Sequence, residues 1–193
     1  MADSIARRID AEHISVDRIL EEEGLWKRGR RSEFLRANRF AAARAEVALR
    51  DGRPVILDGN FYWRTVIDDL LARLDFDHRV LTLNAPLSVC IERDRHRAEP
   101  HGERAARAVY AKSTAFEYGT QVDATGTVDT VVGRVLAQVR EGPFAMARAR
   151  RPRRTGRRPP SRGPTARDRR RRRAVTVRRV GAPIVRRRIK AST

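Results

Sequence analysis

A three-layer α/β sandwich built on a parallel sheet is what this 193-residue sequence predicts. Three observations carry that expectation. Short runs such as Pro54-Val55-Ile56-Leu57 and Val80-Leu81-Thr82-Leu83 are mainly apolar, with Thr82 the one polar residue, which fits strands buried on both faces and not the alternation of a half-exposed sheet. Segments with helical spacing separate these runs, as right-handed crossovers between parallel strands require. The runs also end on polar residues, and in open α/β sheets ligands bind beyond the carboxyl ends of the strands.

Taken in order, residues 3–11 have helical spacing, with Ile5, Ala6 and Ile9 on one side. His13-Ile14-Ser15-Val16-Asp17 reads as a first strand ending on an acid. Residues 32–50 form the longest predicted helix, opened by Ser32 and Glu33 and stopped by Asp51-Gly52. The strand at 54–57 then ends at Asp58-Gly59-Asn60. A helix over 62–73 buries Val66, Ile67, Leu70 and Leu71, and the strand at 79–83 leads to Asn84-Ala85-Pro86. Another helix starts at 87–95. The stretch from Arg93 to Gly119 is polar and offers little core. Thr120–Asp123 is a fourth strand candidate, and Val128–Arg140 a closing helix.

Charge divides the chain in two. Of 43 Lys+Arg and 24 Asp+Glu, residues 145–193 hold 20 basic residues and one acid, Asp168, which leaves residues 1–144 with 23 of each. The net charge of +19 therefore belongs to the tail, and the body is neutral. The expected organisation is an α/β domain over 1–142 and an Arg-rich, disordered tail over 143–193. Within that tail, Ala174–Val177 has the composition of a short strand. The single cysteine, Cys90, excludes an internal disulfide, and no apolar run reaches membrane-spanning length. A soluble, cytoplasmic protein without membrane contact is expected.

Two acids at neighbouring strand ends, Asp17 and Asp58, are the chemistry that phosphoryl transfer needs: one to orient or deprotonate an attacking hydroxyl, the other to hold Mg²⁺ through water. Each has a plainer reading, Asp17 as a helix N-cap and Asp58 as a turn residue. Arg93, Arg95 and Arg97 alternate after the third strand and suit a basic segment closing over phosphates. A solvated helix balanced by Glu92, Asp94, Glu99 and Glu103 has the same composition. Asn60, Trp63 and Arg64 follow the Asp58 turn and are the substrate-binding candidates. His13, His78, His96 and His101 are scattered, without the spacing of a metal site.

The blocks HISVDRI, PVILDGNFYWRTVIDDLLARL, LTLNAPLSVCIERDRHR and VYAKSTAFEYG resemble, in order and spacing, the small P-loop kinase-like ATPases of the AAA type, the group of polynucleotide, gluconate and zeta-toxin-type kinases. The resemblance covers about residues 4–140. It implies ATP and Mg²⁺ as cofactors, a small-molecule or polynucleotide hydroxyl as acceptor, Asp17 as the base facing substrate, Asp58 beside the magnesium, and Arg93, Arg95 and Arg97 in the lid.

The family's phosphate-binding loop, G-x-x-x-x-G-K-[ST], is not among these residues. The three lysines, Lys27, Lys112 and Lys190, lie in no glycine-rich setting, and SIARRI near the start resembles the helix that follows that loop. The expectation is a domain lacking its first strand and loop, with an empty central place between the strands ending at Asp58 and Asn84. Such a product would be degenerate or inactive as a kinase. The alternative function is nonspecific nucleic-acid binding through the Arg-rich tail, held by phosphate contacts and weakened by salt. No aromatic residue follows Phe144 to stack on bases.

Overall fold

Residues 1–26, 28–140 and 173–179 are described by a computed structural model. They form α1 (Ala2–Arg8), β1 (Glu12–Ser15), α2 (Val16–Glu22), α3 (Arg31–Arg50), β2 (Val55–Gly59), α4 (Arg64–Arg73), β3 (Asp77–Asn84), α5 (Leu87–Arg95), α6 (Glu103–Ser113), β4 (Thr120–Asp123), α7 (Val128–Arg140) and β5 (Arg173–Arg179). The strands make one sheet in the order β1-β2-β5-β3-β4, with every neighbouring pair parallel. This is the predicted three-layer α/β architecture.

Alternation along the strands assigns the two faces. Val55 and Leu57 of β2 and Ala174 of β5 join a core with Phe34, Ala37, Ala41, Ala45 and Leu49 of α3, Ile19 and Leu20 of α2, and Ile67 and Leu70 of α4. Ile56, Val175 and Val177 point the other way, into a core with Ile5 of α1, Cys90 of α5 and Val131, Val132 and Val135 of α7. The inward side of α3 is largely alanine. With no side chain beyond Cβ, such a helix packs close to the sheet. Buried Asn38 then ties α3 to α4, donating to the Val66 carbonyl at 2.8 Å and to Asp69 at 3.0 Å.

Two elements differ from expectation. The polar stretch after Arg95 contains the eleven-residue helix α6, whose buried residues are only Ala106 and Ser113. Four of its six apolar residues are alanines, so its periodic stripe is weak in hydrophobic bulk and easily passed over. The larger difference is β5. The place expected to stand empty between β2 and β3 is held by residues 173–179, with Val55 opposite Ala174, Asp58 opposite Val177, and Leu81 opposite Val177 on the other side. The short strand anticipated at Ala174–Val177 is therefore present, longer than expected and central. Flanking arginines mask its apolar pattern, because composition averages over a window wider than the strand. The remainder of the expected disordered tail, 143–172 and 180–193, lies outside the described residues, as do 141 and 142 of the expected domain.

Gly119 shows how closely the loops are fitted. It has φ +62°, and a Cβ there would stand 2.3 Å from the Val80 carbonyl oxygen, so only glycine fits.

Candidate functional site at the carboxyl edge of the sheet

The first turn of α2 follows β1 without a loop. Ser15 ends the strand and also caps the helix, accepting the Arg18 backbone N–H at 3.4 Å. Asp17, read in the sequence as the strand end or the cap, is neither: it lies inside the first turn of α2 and is buried. The parallel register pairs Ser15 with Asp58. Two residues farther along each chain stand Asp17 and Asn60, and they meet. The Asn60 backbone N–H donates to one Asp17 oxygen at 3.3 Å, and its side-chain amide donates to the other at 3.2 Å. Asn60 is itself buried, and its Oδ1 has no protein partner among the described residues.

Asp58 points to the opposite face of β2, toward α1. There Nε2 of His13, from β1, meets Asp58 Oδ1 at 2.5 Å, and Nδ1 of the same ring meets Asp3 of α1. The hydrogen bond to Asp58 raises the His13 pKa above its ordinary value, with burial opposing and Asp3 adding to the rise. The bond to His13 in turn holds the Asp3 carboxyl below the usual carboxylate range. Sequence reasoning considered His13 only as a scattered metal ligand and missed this bridge. The signal emerges only with the register: His13 pairs with Ile56, and both point to the face onto which Asp58 projects.

The other candidates are placed as follows. Trp63 stands edge-on to Phe34 and Tyr62, with centroids 5.4 and 5.9 Å away, in an aromatic group that Trp26 extends. Arg64 lies over the rings of Phe116 and Tyr118 and donates to the Glu117 carbonyl at 2.8 Å. Arg93 donates to the carbonyls of Ala124 at 2.8 Å and Gly126 at 2.9 Å, in the β4–α7 loop. Arg95 pairs with Glu92 and Glu103, and Arg97 with Asp94. Two of the three arginines thus sit on acids, as a charge-balanced helical surface would place them. Asp94 is buried and also accepts the N–H groups of His101 and Gly102, which fixes the start of α6. Burial pushes the Cys90 thiol up, away from the thiolate form.

One buried cation was not anticipated as a site residue at all. Arg178 of β5 is fully buried. Its guanidinium donates to the carbonyls of Phe61 at 3.2 Å, of Phe116 at 3.1 Å and of Ser113, and it lies 4.0 Å from the centre of the Phe116 ring. Burial, with a smaller push from Arg64, lowers its pKa to about 10.

For a metal, no group of three His, Cys, Asp or Glu side chains converges among the described residues. Magnesium asks for less: one or two carboxylates, with waters and substrate phosphates completing the octahedron. Buried Asp58 fits that kind of site, reached through water. No described helix is long and apolar enough to cross a membrane.

Residues 1–117 match a family model described as an AAA domain, which supports a P-loop, nucleotide-binding, kinase-like domain. No curated protein and no solved structure matches the chain. The family match takes in β1, β2, β3, Asp17, Asp58 and the three arginines after β3, and covers more than half of the sequence: the chain belongs to the AAA domain family.

Proposed function

We propose that the chain binds ATP with magnesium and transfers a phosphoryl group to the hydroxyl of a small molecule or a polynucleotide. The observation that carries this reading is the clamped Asp17. Both of its oxygens are held by Asn60, at the carboxyl edge of a parallel sheet, beside an amide oxygen with no protein partner. When bound, ATP supplies the phosphoryl group and magnesium offsets its charge. Asp17 accepts the proton of the attacking hydroxyl, and Asn60 both orients that carboxylate and offers Oδ1 to a second acceptor hydroxyl or amine. Asp58 would hold the magnesium through water, and His13 fixes the rotation of its carboxylate. Trp63 walls the acceptor pocket with apolar surface, and Arg64 stands at its rim. Arg93, Arg95 and Arg97 exchange their present carbonyl and carboxylate partners for phosphate oxygens, which guanidinium groups bind more strongly.

These 193 residues hold no glycine-rich Gly-Lys-Ser/Thr loop, so binding and turnover are measured separately. Titration of the full chain with ATP, with and without magnesium, is expected to give saturable, magnesium-dependent heat. Its absence at millimolar nucleotide overturns the reading. Asp17→Asn is expected to retain binding, while any transfer of labelled phosphate to hydroxyl acceptors falls by about 10²–10⁴. Transfer unchanged in Asp17→Asn removes Asp17 as the base.

A second reading rests on charge: the 20 basic residues of 145–193 suit nonspecific nucleic-acid binding. Deleting the segment is a poor test because it also removes β5. Exchanging arginines within 148–172 for glutamine, with 173–179 intact, is expected to flatten the salt dependence of binding to an oligonucleotide. An unchanged salt slope refutes it.

A further inference from the structure

The central place in the sheet is filled from a distance. Between Arg140, the end of α7, and Arg173, the start of β5, lie 32 residues, numbers 141–172. β5 is the one described element that begins after residue 140, yet both its edges are paired: Val55 to Gly59 of β2 run beside it on one side and Asp77 to Leu83 of β3 on the other. β2 and β3 have no register with each other, so β1-β2 and β3-β4 are two half-sheets that β5 alone bridges.

The seat is also selective. On one face it takes the small or short side chains of Ala174 and Thr176, and on the other Val175 and Val177, all fully or almost fully buried. At its carboxyl end it takes a guanidinium. Three backbone carbonyls from two separate parts of the chain face that group, Phe61 after β2, Ser113 at the end of α6 and Phe116 in the loop that follows it, and the Phe116 ring covers it. A backbone carbonyl is a hydrogen-bond acceptor only, and each of the three meets a different nitrogen, Phe61 at Nε, Phe116 at Nη1 and Ser113 at Nη2, so they call for a donor-only group whose donors diverge. Arginine fits this where lysine does not, because its planar fork spans diverging acceptors.

We propose that the slot between β2 and β3 is a peptide-binding site, selective for an extended, parallel segment with valines on one face, small residues on the other and an arginine at its end, and that residues 173–179 are its resident ligand. Recognition is of the strand-addition kind: ladder bonds from both neighbours hold the backbone, and the side-chain pockets, above all the three-carbonyl cradle, set the sequence. This inference does not depend on the nucleotide reading.

The test begins with the full chain carrying a specific protease site within 141–172. After cleavage, the C-terminal fragment is expected to co-elute with the body. A fluorescein-labelled peptide of residues 171–181 is then expected to exchange into the nicked protein. The same peptide carrying Arg178→Ala is expected to compete at least tenfold worse, and a scrambled peptide of identical composition and charge not at all. Separation of the fragment with the melting curve of the body unchanged overturns the proposal. So does equal competition by the scrambled peptide, which would reduce the attraction to charge.

A second measurement needs no cleavage. In the intact Arg178→Ala chain, guanidinium at low millimolar concentration is expected to raise the melting temperature toward that of the parent, while the same concentration of ammonium does not. Equal effects of the two ions, or no effect of guanidinium, remove the cradle.

Discussion

Val177 is the position where the seating of β5 is most directly tested. Its side chain is buried in the core shared with α1 and α7, and its register partners are Asp58 on one side and Leu81 on the other. Val177→Ala removes two carbon groups from a packed interior. At about 0.8 kcal/mol each, with a further few tenths for the space left, the cost is about 2 kcal/mol. For a domain of this size that lowers the melting temperature by about 4–8 °C. Val177→Asp removes the whole apolar contribution and sets a second carboxylate beside buried Asp58, a like charge with no cation among its register neighbours. The cost exceeds about 4 kcal/mol, a large share of the 5–15 kcal/mol that holds a typical domain together. Val128→Asp is the control, since Val128 is exposed in the first turn of α7, where an acid is tolerated. Thermal and urea unfolding followed by circular dichroism read all three. A Val177→Asp chain melting within about 2 °C of the parent would show that residues 173–179 are not in the sheet, and the whole account of the central strand would fall with it.

Three other expectations follow from the same geometry. His13→Asn tests the Asp3–His13–Asp58 bridge by pH: because the folded pKa is raised above 6.5, His13 contributes its full stability below that value and loses it as pH rises through the folded pKa. Urea midpoints from pH 5.5 to 9 should therefore fall with pH in the parent and fall less in the variant; identical slopes would refute the bridge. Tyr118→Phe deletes the 2.6 Å bond from the phenol to Asp68, whose burial and carboxylate partner keep the hydroxyl protonated, and is expected to cost about 0.5–1.5 kcal/mol in urea unfolding. Gly119→Ala forces a left-handed backbone on alanine and a clash with the Val80 carbonyl, so a loss of about 3 kcal/mol or more is expected, and a neutral result would mean the loop is placed differently.

How much of this was legible in the sequence depended on how concentrated each signal is. β2 and β3 announce themselves because short runs of mainly apolar residues, 54–57 and 80–83, stop abruptly on polar ones, and that same stop marks Asp58 and Asn84. Asp17 was found for a partly wrong reason. It is beyond the strand, not at its end, and what brings it to Asn60 is the equal two-residue step past the Ser15–Asp58 pair. The His13 bridge was missed because a lone histidine carries no pattern until the pairing register is known. α6 was missed because its apolar residues are mostly alanine, which carries little hydrophobic bulk. β5 was seen only as a fragment, since arginines on either side dilute four residues of strand character, and nothing local in the chain says that such a fragment belongs between β2 and β3.

The position of β5 also sets a timetable. Val55 and its neighbour Ala174 are separated by 119 residues, so the centre of the sheet is closed by the longest-range pairing in the fold. At about 5–20 residues per second, a ribosome needs roughly 2–8 s to go from the end of α7 to the end of β5. Throughout that interval the body has both inner edges of its sheet unpaired, and those edges are what a chaperone or another nascent chain would meet first. Synonymous changes that slow translation across 141–172 would lengthen this exposure without altering a single side chain. Yield of folded protein in the cell would then depend on codon choice in 141–172 as well as on the side chains of the two cores.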